Sequence, residues 1–131
     1  SKVSPELHEK LSTPLPADAL KHEPADFMVI LDDLAKKTGI NIVPHDSLKE
    51  VPKDQRQWGF QVEPGTTLVS LIEDHLKKKF KPVEIVYRYD RILILTHKAA
   101  AKLQAESDEK AEAANAAAEE NASEAKIESS E

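Results

Sequence analysis

The feature that most limits what this chain can fold into is a break in composition after Thr96. From Lys98 to Glu131, twelve of 34 residues are alanine, and only Leu103 and Ile127 are large and apolar. Such a segment cannot bury enough surface to offset the entropy of ordering it. The core must therefore be assembled before Lys98, and 98–131 reads as an acidic, Ala/Glu-rich flexible tail or linker. Alanine, glutamate and lysine favour helix, so helical turns can continue from the last strand into this segment. No sustained heptad marks it as a coiled coil.

The same break divides the charge. The chain carries a net −6. Beyond Thr96, nine acids oppose four lysines, a net of −5, which leaves 14 basic and 15 acidic residues, a net of −1, ahead of it. A nearly neutral domain lacks the concentrated positive face that nucleic acid requires. With no cysteine, disulfides and thiolate metal sites are excluded. The longest apolar run, Phe27 to Leu31, is five residues, far below the roughly 18–20 that cross a bilayer, so no membrane insertion is expected. No basic-then-apolar leader opens the sequence.

Within the first 97 residues the spacing of apolar positions predicts an alternation of helices and strands. Leu7 and Leu11 suit a short helix, Pro5 to Leu11, as a lead-in over 1–15. Ala17 to His22 can run extended between prolines. Pro24 at a first helical position, Asp26 at the positive end of the dipole, and Phe27, Ile30, Leu31 and Leu34 on one face predict a helix that Gly39 stops. Ile40 to Val43 then reads as a strand broken by Pro44, and Asp46 to Glu50 as one helical turn. Trp58, Phe60 and Val62 alternate with Gln57, Gly59 and Gln61, so one face of that strand is buried and the other wet. Thr66 suits the N-cap of a second helix with Leu68, Leu71, Ile72 and Leu76 inside. Val83 to Tyr89 and Arg91 to Thr96 read as a hairpin. The order is β-α-β-β-α-β-β. The expected core is Phe27, Leu31, Leu34, Ile40, Ile42, Trp58, Phe60, Leu68, Leu71, Ile72, Ile85, Tyr87, Ile92 and Ile94.

Residues that could carry chemistry do not assemble into a catalytic pattern. The five histidines (His8, His22, His45, His75, His97) include no i, i+4 pair and no H-x-x-x-H or H-E-x-x-H motif. Asp32-Asp33 and Glu73-Asp74 are adjacent on helices and point about 100° apart, which suits solvated faces rather than an acid–base pair. Ser47 and Ser70 lack a nucleophile-elbow or S-x-x-K setting. Three glycines, widely spaced, make no phosphate-cradling loop. Neither a cofactor nor a small-molecule substrate is expected, and the chain reads as a non-enzyme. The one basic cluster, Lys77, Lys78, Lys79 and Lys81, can complement the helix dipole or receive an anionic partner.

The passage Phe27 to Val43, F-M-V-I-L-D-D-L-A-K-K-T-G-I-N-I-V, and the second half from Gly65 to Thr96 resemble the STN family, the short domain at the amino terminus of secretins and TonB-dependent transducers. The likeness covers roughly residues 16–96, within a domain read as 16–97. It departs from the family pattern in the Lys-Lys-Lys-Phe ending of the second helix. The resemblance implies an α+β fold, with two helices sandwiched between two small β-sheets and the tail appended. It also implies a periplasmic or cell-envelope location and a role as a non-catalytic interaction or signal-receiving module. Its partner would be the periplasmic segment of another envelope protein, or the chain itself by self-association. Two other readings are a purely structural spacer and a small nucleic-acid-binding module. The second would need a basic G-x-x-G loop or paired strand aromatics, and only Tyr87 and Tyr89 offer anything similar.

Overall fold

The structure, a computed structural model, describes residues 3–106. The chain divides into two units, Ser1–Lys98 and Ala99–Glu131. In the second, residues 99–106 are helical, as a run of alanines with Lys102 and Leu103 favours. The rest of the expected tail, 107–131, lies outside the described residues.

In the first unit, helix α1 (Pro5–Ser12) is capped by Ser4, whose Oγ accepts from the Leu7 N–H at 3.1 Å. Leu7 is buried in the core and Leu11 packs against it, so the lead-in is laid onto the domain. Ala17–Ala19 makes one 3-10 turn, and the first strand is β1 (Lys21–Asp26), later than the Ala17 to His22 segment expected for it. The Ala19 N–H turns back to the Pro16 carbonyl at 2.9 Å, which curls the chain where an extended segment would have begun.

Pro24 therefore does not start a helix. It lies inside β1 at a bulge, where Glu23 and Pro24 stand opposite Gly59. Helix α2 (Phe27–Thr38) begins after Asp26, whose Oδ1 accepts from the Met28 N–H at 2.9 Å. The Phe27 N–H is already given to the Arg56 carbonyl at 2.8 Å, so the ladder of the strand pair runs up to the first residue of the helix. Phe27, Ile30, Leu31 and Leu34 are buried as their spacing predicts, and Gly39 ends the helix at φ 72, donating to the Ala35 carbonyl.

Strand β2 (Ile42–Pro44) follows. Pro44 stays within the strand, paired with Ile94, because β2 is an edge and the missing N–H faces away from the ladder. Asp46–Glu50 forms the expected turn, as 3-10 helix. Strand β3 (Gln57–Gln61) pairs antiparallel with β1. The second helix is capped by Thr67, whose Oγ1 accepts from the Ser70 N–H at 3.2 Å. Thr66 instead closes the preceding turn, its Oγ1 donating to the Glu63 carbonyl at 2.7 Å. The helix runs on through α3 (Leu68–Ser70), a π-helical stretch Leu71–Leu76 and α4 (Lys77–Lys79). Within it the Lys77 N–H reaches five residues back, to the Ile72 carbonyl.

Strands β4 (Val83–Tyr87) and β5 (Ile92–Thr96) form a hairpin, and β5 also pairs in parallel with β2. The result is a two-stranded sheet, β1-β3, and a three-stranded sheet, β2-β5-β4. Helix α2 contacts β1 and β3 of the one and β2 of the other. Every expected core residue but one is buried; Tyr87 is half-buried, its hydroxyl donating to Glu73 Oε1 at 3.0 Å. Leu7, Leu15, Ala19, Ile30, Leu48, Val51, Leu76, Phe80, Val83 and Leu95 are buried with them.

Candidate interaction surface

A sheet edge is a row of backbone donors and acceptors, and proteins usually blunt such rows with proline, charge or cover. The strand order leaves four edges: β1, β3, β2 and β4. Three of them are blunted by their own residues. On β1, Pro24 removes a donor at the bulge. On the three-residue β2, Pro44 does the same.

The outer edge of β4 is screened by charge. The Arg88 N–H donates to the Arg91 carbonyl and the His97 N–H to the Pro82 carbonyl, each at 2.8 Å. That alternation turns the backbone of Glu84 and Val86 toward β5 and that of Val83, Ile85 and Tyr87 outward. The Val83 N–H is taken by the Phe80 carbonyl at 3.0 Å. The Glu84 carboxylate bends over the next donor, the Ile85 N–H, at 3.4 Å. It is held there by Lys77 at 3.2 Å and His97 Nδ1 at 2.7 Å, and Lys77 also reaches Glu73 at 3.7 Å. Burial pushes the Glu84 carboxyl up, but Lys77, the Ile85 N–H and His97 together hold it below the ordinary range. The hydrogen bond that Lys77 donates to Glu84 and the charge of Glu73 raise Lys77 in turn.

The edge of β3 has no such guard. Phe27 donates to Arg56 and Val62 to Leu20, each at 2.8 Å. By the same alternation Arg56, Trp58, Phe60 and Val62 face β1, while Gln57, Gly59 and Gln61 turn their N–H and C=O outward. Among the described residues no other group bonds to those outward-facing atoms. Gln57 and Gln61 are exposed and uncharged. The strand is held rigid from inside: Trp58 and Phe60 are buried, their ring centroids 4.9 Å apart. Gly59 suits this place, because a Cβ there would lie 3.0 Å from both Cγ and N of Pro24.

At the base of this strand, the buried Arg56 pairs with the capping carboxylate of Asp26 at 3.2 Å and anchors the turn into β3. Beside Gln57 a groove of about 440 Å³ is lined by Val51, Asp54, Gln55, Lys79, Phe80, Lys81 and Pro82.

The four lysines singled out in the sequence do not form one patch. Lys77 is half-buried and satisfied by Glu73 and Glu84. Lys78 is exposed, while Lys79 and Lys81 line the groove, with Lys79 Nζ 5.6 Å from the Phe80 ring centroid. The paired carboxylates are likewise partnered: Asp32 by Lys36 at 3.1 Å, Asp33 by Lys37 at 2.9 Å, and Asp74 by the Ser70 hydroxyl at 3.1 Å.

Sequence alone marks Gln57, Gly59 and Gln61 as the wet face of a strand and says nothing of an edge. Two signals could have found it. Pro24 and Pro44 each disqualify another strand as a pairing edge, and Q-W-G-F-Q is a strand without charge or proline. The chain matches no family model, no curated protein and no solved structure.

Proposed function

We propose that this chain is a non-catalytic protein-interaction module of the STN type that receives an extended segment of a partner along the outer edge of β3. The observation that carries this reading is the contrast between edges. Proline interrupts β1 and β2 and a held carboxylate covers the central donor of β4, while β3 offers the outward N–H and C=O of Gln57, Gly59 and Gln61 in an uncharged setting. A strand added there gains main-chain hydrogen bonds, with selectivity supplied by alternate side chains. An added strand that extends past Gln57 meets the groove of Val51, Phe80 and Pro82, where Lys79 and Lys81 favour an acidic residue. The cell-envelope setting and a periplasmic partner belong to the same proposal, and their support is the resemblance of residues 16–96 alone.

The test is a selection of random extended peptides displayed on phage against the folded full chain, followed by amide shift mapping. Selected peptides are expected to move the resonances of Gln57, Gly59 and Gln61 most. Peptides that map to another surface, or a selection that yields none, overturn the reading.

A further inference from the structure

We infer that the strand seated on β3 is β3 of a second copy of this chain. This rests on the strand-accepting reading above and names its occupant. The residues Gln57-Trp58-Gly59-Phe60-Gln61 read nearly the same in either direction about Gly59: amide, aromatic, glycine, aromatic, amide. A two-fold axis needs such a patch, because each position must accept its mirror position on the other copy.

Antiparallel pairing centred on Gly59 sets Gly59 opposite Gly59 of the second copy and Gln57 opposite its Gln61. The residues so paired are the ones whose backbone faces outward, so each pair exchanges both N–H···O bonds and leaves no outward donor of β3 unmet. On the wet face, Gln57 and Gln61 meet as neutral amides that can bond to one another. Before Gln57 the chain curls into the 3-10 turn Lys53–Gln55, so the pairing is confined to Gln57–Gln61. No like charges face each other in this register. The two small sheets become one four-stranded sheet, β1-β3-β3-β1, ended on both sides by the proline-blunted β1. A two-stranded sheet is marginal alone, and four strands meet the usual size.

The test uses the full chain as its own probe, with sedimentation followed from micromolar to millimolar concentration. The wild type is expected to pass from monomer to dimer. The double variant Gln57→Lys/Gln61→Lys puts lysine opposite lysine at both pairs and is expected to weaken the dimer roughly tenfold or more. The double variant Gln57→Glu/Gln61→Lys puts opposite charges at both pairs and is expected to restore it. Thermal melts of both verify folding, which exposed positions tolerate.

A wild type that stays monomeric at millimolar concentration overturns self-pairing, as does a dimer that ignores the charge pattern. In either case the peptide mapping decides strand acceptance separately. Peptides on β3 with a monomeric chain sink only the second copy; an inert edge in both assays sinks both.

Discussion

At the scale of single residues, the fold turns on positions whose role lies in what they lack. Pro24 has no N–H to leave unpaired at the bulge of β1, and Gly59 has no Cβ to collide with Pro24. Replacing Gly59 by alanine forces contacts at 3.0 Å on a backbone nitrogen and a ring carbon, which is overpacking and is expected to cost about 1–3 kcal/mol. Urea unfolding checks this. Shortening the neighbour, in Pro24→Ala/Gly59→Ala, should recover part of the loss but not all, because the backbone nitrogen stays. A Gly59→Ala chain as stable as the wild type would mean that the two strands are not this close. Asp26 is another such position: one carboxylate caps α2 through Met28 and neutralises the buried Arg56. A charge pair this enclosed is harmful mainly when halved.

At the scale of elements, much of the fold was legible and the misreadings share a cause. Apolar spacing gave the faces of α2 and of the Leu68–Lys79 helix, because burial of one stripe is a property of the sequence itself. The ends were displaced where a residue had two local uses. Pro24 suits a helix start and equally an edge bulge, and only the pairing with β3 decides between them. Thr66 and Thr67 both suit a cap, and the choice depends on the Leu15 N–H bonding to the Thr66 carbonyl, a contact from far along the chain. The candidate site was less legible still, since an edge is a fact about which strands are absent beside it.

The alternation along β3 gives an element-scale prediction. Proline at Gln61 deletes only an outward N–H, so its cost is the strain of fixing φ in the strand, about 1 kcal/mol, with no ladder bond lost. Proline at Val62 also deletes the donor to Leu20 and should cost about 1–3 kcal/mol more than proline at Gln61, as an orphaned carbonyl does. Thermal or urea unfolding of the two variants compares them directly, and equal losses would contradict the assignment of the outer face.

At the scale of the molecule, the group formed by Tyr87, Glu73, Lys77, Glu84 and His97 ties the second helix to the hairpin and makes stability depend on pH at both extremes. Glu84 is held below its ordinary 4.5, so its contribution is present above that value and is lost as pH falls through the lowered one. Lys77 is held above 10.5, so its contribution is present below that value and is lost as pH rises through the raised one. Burial and the Glu73 charge push the Tyr87 phenol far above its ordinary 10.0, so the unfolded chain ionises first and stability falls once pH passes 10.0. Melting temperatures are therefore expected to drop at both ends. Tyr87→Phe should flatten part of the alkaline limb and leave the acid limb in place. An alkaline limb unchanged by that substitution would remove the phenol from the account.

The contact between Pro24 and Gly59 also bears on descent. Two positions 35 residues apart in sequence share one small volume, so a side chain at position 59 is paid for at position 24. In descendants of this chain a side chain at position 59 is expected chiefly where the bulge at position 24 has been deleted, and less often where residue 24 has only become smaller. The bulge, the proline and the glycine should then be inherited or lost together, as a single character rather than three.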